Sequence, residues 1–373
     1  MSEFTLKPII VSGSDSLNKL DNFKNQKILL VCDPFLVDTK EFNKITSHLN
    51  SGNTIEIFSD VKPDPPLENI TSGVKFFVNV KPTVMVAVGG GSAIDTAKAI
   101  RFFGEKITNS PIGCFVGIPT TSGTGSEVTN AAVITDDKNG VKFPIIENYL
   151  IPDISILYPE LVMSAPKSVT AFSGLDVLTH DFEALVGKDN NLFTDALAEK
   201  SMSVIFDHLV EVTKDPQNIE LRKIIHEASA AAGASFSYAG LGIAHAIAHQ
   251  LGSIYHMPHG LACAITLPYA IEYNARADKN AQKKYADAAR RCGLVSKNIA
   301  DNVAIKKIIR QIHLMMTQMD CPKSLKEFGI TAKDAMQEAD RVVEYAKKDG
   351  NYKYNPVEPS DEDLLNIYKK IVG

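Results

Sequence analysis

The sequence predicts a parallel α/β half followed by an all-helical half. Two observations predict it. Short β-rich runs alternate with amphipathic stretches up to about residue 160, and from Pro166 onward the strand signal gives way to long segments of helical periodicity. The chain has 373 residues, enough for two domains with full cores, and the expected units are residues 1–163 and 164–373.

The first-half strands read in order as KILLVCD (27–33), TIEIFSDV (54–61), TVMVAVGGGS (83–92), IGCFVGIPTT (112–121) and ISILYP (154–159). VITDD (133–137) and VKFPII (141–146) flank a predicted hairpin turn at Asp137-Lys138-Asn139-Gly140. In the second half, 194–212, 219–237 and 279–293 are rich in Ala, Leu, Lys and Glu and read as helices. The stretch 347–363 reads as a loop-like insertion before a last short helix. A cleft between the halves is the expected place for a ligand.

Lys+Arg total 39 against Asp+Glu 44, a balance of -5 without a cationic block, which gives nucleic acid no electrostatic footprint. No apolar run reaches the roughly 18 residues that span a bilayer, and the start lacks a secretory pattern, so a cytoplasmic protein with no membrane partner is expected. The cysteines, Cys32, Cys114, Cys263, Cys292 and Cys321, lack CxxC spacing. They read as reduced residues that behave as small hydrophobes, not as a disulfide framework or a thiolate metal knot.

Three segments of the first half suggest a nucleotide. GGGS (89–92) follows an apolar strand and opens the helical pattern AIDTAKAIRFF, so bare amides and a helix N-terminus meet where an anion could bind. Ile94 at the sixth position departs from the ordinary dinucleotide fingerprint, and a tight structural turn explains the glycines equally. Asp33, ending the first long strand, could accept hydrogen bonds from ribose hydroxyls and repel a 2'-phosphate, which favours NAD over NADP; a turn or capping role is the plain alternative. IPTTSGTGSEVT (118–129) places hydroxyls and glycines after another strand, where they could close over phosphates.

The second half suggests a metal. Asp176 and His180 are four apart, on one helical face. GIAHAIAHQLGSIYHMPHGLA packs His245, His249, His256 and His259 into a short stretch; His245 and His249 repeat the spacing of four, and the Pro258-His259-Gly260 turn could return another imidazole. Any single histidine is as well explained by an ordinary core or surface role, but the cluster is not. One carboxylate and three imidazoles suit Fe(II) or Zn(II), with positions left for substrate. Nucleotide and metal together imply hydride transfer to or from an alcohol carbon.

The motifs VCDPFLV, VKPDPPLENI, GGGSAIDTAKA, PTTSGTGSEVT, GLDVLTHDFEA and AHAIAHQLGSIYHMPHGLA, in this order over nearly the whole chain, resemble the iron-dependent (group III) alcohol dehydrogenase family. Across FTDALAEK and GIAHAIAHQLG the chain is most similar to the 1-propanol dehydrogenases of propanediol-utilising microcompartments, although ethanol and 1,3-propanediol dehydrogenases share these motifs. The resemblance implies a Rossmann-like nucleotide domain, NAD and Fe²⁺ (Zn²⁺ being the alternative), and interconversion of a short primary alcohol and its aldehyde, 1-propanol and propionaldehyde first. It implies that Asp176, His180, His245 and His259 ligate the metal and that His249 relays protons. It assigns Asp33 to the ribose, Gly90, Gly91 and Ser92 to the pyrophosphate, Asp95, Thr120, Thr121, Thr124 and Lys142 to the rest of the cofactor pocket, and Phe236 to the alcohol pocket. Two departures bear on the outer substrate wall: Asn355-Pro356-Val357 stands where many members have Asn-Pro-Arg, and Asn351 stands where a cysteine or threonine is common. Partners implied are a small alcohol or aldehyde, a second copy pairing through LKPIIVSG (6–13) in a homodimer or larger assembly, and a microcompartment shell. Rivals are a zinc-using glycerol dehydrogenase, a metal- and NAD-using lyase similar to dehydroquinate synthase, and a non-catalytic cargo adaptor.

Overall fold

A computed structural model describes Phe4–Asp136 and Val141–Gly373; the side chains of Val141 and Lys142 are also outside the described set. The predicted hairpin turn at 137–140 therefore lies outside the described residues. Contacts group the described chain into a sheet unit, Thr5–Ala165 with Gln217–Ala230, and a helical unit, Phe4, Pro166–Pro216 and Ala231–Gly373.

In the sheet unit the strands are β1 (Ile9–Ser12), β2 (Lys27–Cys32), β3 (Thr54–Phe58), β4 (Val84–Gly89), β5 (Cys114–Pro119), β6 (Ala131–Asp136), β7 (Val141–Ile146) and β8 (Ile154–Leu157). Six of them form one parallel sheet in the order β1-β8-β5-β4-β2-β3. β6 and β7 pair antiparallel from Ala131↔Ile146 to Asp136↔Val141. The helices are α1 (Lys40–His48), α2 (Leu67–Val80), α3 (Gly91–Thr108) and the short α4 (Pro159–Val162).

The strands read as continuous apolar runs because both faces are covered. Leu29, Val31, Met85, Ala87 and Phe115 share one core with Phe77 of α2 and Ala93, Ile94, Ala97 and Ile100 of α3. The alternate residues Ile28, Leu30, Val84, Val86, Val88, Val116 and Ile156 share the other with Phe42 and Ile45 of α1. A one-residue register slip would exchange the two sets, so the pattern fixes the pairing. β1 lies at the edge, and its outer side pairs with no strand among the described residues.

The helical unit is built on α5 (Lys167–Val186) and α6 (Leu192–Lys214); the next helix, α7 (Ile219–Ala239), is followed by α8 (Ile243–Tyr255) and α9 (His259–Ala277). Further helices at Lys279–Arg291, Asp301–Gln318, Ala339–Lys348 and Asp361–Val372 are joined by shorter turns. From Gly174 to Val186 every residue of α5 is buried, as expected for a helix surrounded by neighbours. That burial makes each polar residue on α5 informative, because an unpartnered one is costly there. Among the described residues no helix is long and apolar enough to cross a membrane.

Candidate metal and nucleotide sites

The helical unit gathers the predicted ligands around one oxygen. Asp176 Oδ1 lies 3.8 Å from His180 Nε2, 3.6 Å from His245 Nε2 and 3.5 Å from His259 Nε2. Two residues come from α5, one from the first turn of α8 and one from the first position of α9. Gly260 lets α9 come this close: a Cβ there would sit 2.1 Å from the Phe172 carbonyl oxygen and 3.2 Å from Asp176 Cβ. The four donor candidates stand beyond ordinary hydrogen-bond length, and Asp176 Oδ1 and His245 Nε2 are buried without a hydrogen-bond partner among the described residues. Bonds of about 2.0–2.2 Å to a shared ion place neighbouring donors roughly 3–3.6 Å apart, so the residues fit a divalent metal. Two polar atoms of ligand type at 1–2 % exposure thus make no hydrogen bond among the described residues.

Charge follows the same geometry. Burial by itself would raise Asp176, but the His180, His259 and His245 rings outweigh it and hold the carboxyl well below the usual carboxylate range. Burial pushes His180 down to about 3, against the pull of Asp176, so its imidazole is neutral, the form that binds a cation.

Residues that the sequence reading missed orient this cage. Glu183 accepts from His245 Nδ1 at 2.6 Å, and its two oxygens also accept the Gly242 and Ala244 amides at 2.8 and 2.6 Å. It thus caps α8 and fixes the ring so that Nε2 is the free nitrogen. Glu183 follows Asp176 at i+7 and His180 at i+3, a signal available in the sequence. Asn355, 1 % exposed, accepts the Ile243 amide at 3.3 Å and exchanges hydrogen bonds with Asn274. The segment read as a loop-like insertion therefore holds the start of α8.

His249 has its Nδ1 2.7 Å from Asp349 Oδ2, while Asp349 Oδ1 accepts the Asn351 amide at 2.9 Å. Burial would raise Asp349, yet its bond to His249 brings it below the ordinary carboxylate range. The His249 ring stacks on His259 with centroids 5.4 Å apart, and Phe236 lies 4.3 Å from His180, centroid to centroid. His256, the fourth histidine of the run, ends α8 in a left-handed conformation at φ 51° and is exposed, apart from the cage. Cys263, one turn after His259, is a free buried thiol as expected, and its Sγ is 3.7 Å from His259 Nε2. Burial raises this thiol to about 12.

In the sheet unit, Asp33 Oδ2 accepts the Gly90 amide at 3.1 Å across the ends of β2 and β4. Burial raises Asp33, and that amide opposes the shift. Gly89 has φ 155°, and a Cβ on it would meet Asp33 Oδ2 at 2.4 Å and Ala93 Cβ at 2.5 Å, so only glycine fits. Gly90 precedes α3, and no side chain caps that N-terminus. Thr120 donates its amide to the Gly89 carbonyl at 3.0 Å. Thr121 and Thr124 lie over the turn: a Cβ on Gly90 would be 3.7 Å from Thr121 Cγ2, and one on Gly91 would be 2.8 Å from Thr124 Oγ1.

Asp95 has both oxygens engaged within the protein, accepting from Ser126 Oγ at 2.6 Å and the Val133 amide at 3.0 Å. Lys98, fully buried, donates to Ser126 Oγ, Thr129 and the Ala131 carbonyl within 2.8–3.2 Å. These two residues, one turn apart on α3, hold the 126–133 segment against the helix. Ser92 sits in the first turn of α3, and the Lys142 side chain lies outside the described residues.

Two family models cover the chain: "Iron-containing alcohol dehydrogenase" matches residues 8–159 and "Fe-containing alcohol dehydrogenase family, C-terminal" matches 170–372. This chain belongs to the iron-containing alcohol dehydrogenase family. The dehydrogenase is 43% identical over 337 residues, 90% of either chain, to the 1-propanol dehydrogenase PduQ of Citrobacter freundii. A solved 1,3-propanediol oxidoreductase superposes with a TM-score of 0.91 at 31% identity, covering 100% of both chains. Sulfoacetaldehyde reductase from Bifidobacterium kashiwanohense, solved in complex with NAD+, gives 0.87 at 26% identity over 100% of this chain and 98% of its own. The enzyme is an NAD-dependent, iron-containing alcohol dehydrogenase that interconverts alcohol and aldehyde.

Proposed function

We propose that this dehydrogenase interconverts 1-propanol and propionaldehyde, or a primary alcohol and aldehyde of similar length, using NAD(H). The supporting observation is the Asp176-centred cage with His249 beside it, in a chain 43% identical to a 1-propanol dehydrogenase. Asp176, His180, His245 and His259 would hold the iron. When bound, that ion supplies Lewis acidity, which lowers the pKa of an alcohol or polarises an aldehyde carbonyl.

The remaining work belongs to the chain's own residues. Glu183 keeps His245 in the tautomer with a free Nε2. Asp349 does the same for His249, leaving Nε2 of that ring to take or return the hydroxyl proton. Phe236 supplies an apolar wall beside His180 and excludes water there. Asp33 recognises the adenosine ribose and disfavours a 2'-phosphate. Because the Gly90 amide is already donated to Asp33, the pyrophosphate falls to the Gly91 and Ser92 amides and the hydroxyls of Thr120, Thr121 and Thr124. Asp95 acts in this pocket by holding Ser126.

The test is NADH consumption by anaerobic, iron-loaded enzyme across ethanal, propanal, butanal and 3-hydroxypropanal. Propanal is expected to give the highest kcat/KM; no turnover of any aldehyde would overturn the reading. The exposed outer edge of β1, where Ile9 and Ile10 are 54% and 38% exposed, supports a homodimer or larger assembly, which sedimentation would test. We carry the same reading to a cytoplasmic location inside a microcompartment shell, tested by co-fractionation with shell protein.

A further inference from the structure

A fifth donor stands at the metal cage. The ligand atoms of Asp176, His245, His259 and Cys263 all lie within 4.8 Å of one another, and Cys263 Sγ is 3.7 Å from His259 Nε2. Zinc–nitrogen bonds of about 2.0–2.1 Å and a zinc–sulfur bond of about 2.3 Å put tetrahedral neighbours roughly 3.4–3.6 Å apart. The sulfur thus already sits near bonding separation from one ligand. Cys263 follows His259 by one turn of α9, so both project from one helix face toward Asp176. Two atoms of this set, Asp176 Oδ1 and His245 Nε2, are buried and lack hydrogen-bond partners among the described residues, which marks the space among them as a ligand position.

We propose that the cage holds two overlapping donor sets that share Asp176, His245 and His259, and that zinc recruits Cys263 as its fourth ligand. The inference rests on the metal reading given above. A carboxylate with two or three imidazoles and open positions suits Fe(II), whereas Zn(II) is borderline soft and favours closed tetrahedral sites containing sulfur. On zinc binding the S–H bond breaks, a zinc–sulfur bond forms, and the proton leaves to buffer; a coordinating thiol is deprotonated outright. Zinc closed by Cys263 has no position left for an alcohol, so zinc-loaded enzyme is held inactive by a residue that iron leaves aside.

The experiment is zinc K-edge X-ray absorption on untagged enzyme loaded with one equivalent of zinc, alongside Cys263→Ala and Cys263→Ser. Wild type is expected to show one sulfur scatterer at about 2.3 Å beside nitrogen and oxygen at about 2.0–2.1 Å, and both variants to bind zinc without the sulfur. Zinc bound in wild type by nitrogen and oxygen alone would overturn the inference and leave the metal site standing. Failure of wild type to bind zinc or iron at all would overturn both. Cobalt(II) gives an independent reading, since a sulfur-to-cobalt charge-transfer band should appear in wild type and vanish in Cys263→Ala.

Discussion

The glycine turn of the sheet unit and the imidazole cage of the helical unit meet opposite physical demands. At the turn, two strand ends and a helix start crowd together, so side chains are removed: Gly89 alone fits against Asp33 and Ala93. At the cage, side chains must converge inside a packed core, so each polar group needs its own support. Asp176 is surrounded by three rings, and His245 and His249 each lean on a carboxylate. Binding through backbone depends on local sequence, whereas binding through buried side chains depends on residues distant in the chain.

That contrast can be broken or sharpened by substitution. Asp176→Asn removes the hub's charge and should abolish stoichiometric metal and lower kcat/KM at least a thousand-fold, about 4 kcal/mol, read by elemental analysis and kinetics. Glu183→Ala leaves all four ligands in place but frees His245 and uncaps α8. Metal affinity is expected to fall about 10–100-fold, measured by competition with a chelator; unchanged affinity would reduce Glu183 to a helix cap. Gly89→Ala should raise the KM for NADH about tenfold or more while metal content stays at wild-type level, since the clash is confined to the turn.

The same comparison explains what could be read from the sequence. The strands were legible because the doubly covered sheet demands uninterrupted apolar runs, and the β4–α3 turn was legible because its strand, glycines and helix are contiguous in sequence. Asp176–His180 and His245–His249 were visible as spacings of four, and the family resemblance alone chose His245 and His259 among the clustered histidines as ligand candidates and set His249 aside as a proton relay. The contacts of Asp349 and Asn355 with α8 were not visible, because a loop far along the chain reaches α8 only through the tertiary fold. Glu183 could have been found, since it continues the face of Asp176 and His180. Cys263 is the free buried thiol that the sequence leads one to expect, but its place beside His259 was not visible, because a buried cysteine looks the same in sequence whether it faces leucine or imidazole.

A smaller effect separates the units by pH. Burial raises Glu127 of the sheet unit from the usual 4.5 to about 7, against the opposing charge of Lys98. A carboxyl raised in the folded state contributes its stability below pH 4.5 and loses it as pH climbs through about 7. Glu127→Gln mimics the neutral acid, so its melting temperature should exceed that of wild type more at pH 8 than at pH 5, a gain of about 1–3 kcal/mol at the higher pH. An equal difference at both pH values would remove this assignment.

Metal stoichiometry tests the cage most directly. Anaerobic iron titration of metal-free wild type, followed by elemental analysis after gel filtration, should give one equivalent per chain, falling to near zero in both Asp176→Asn and His259→Ala. Full iron retention by either folded variant would contradict a metal held by this carboxylate and these imidazoles.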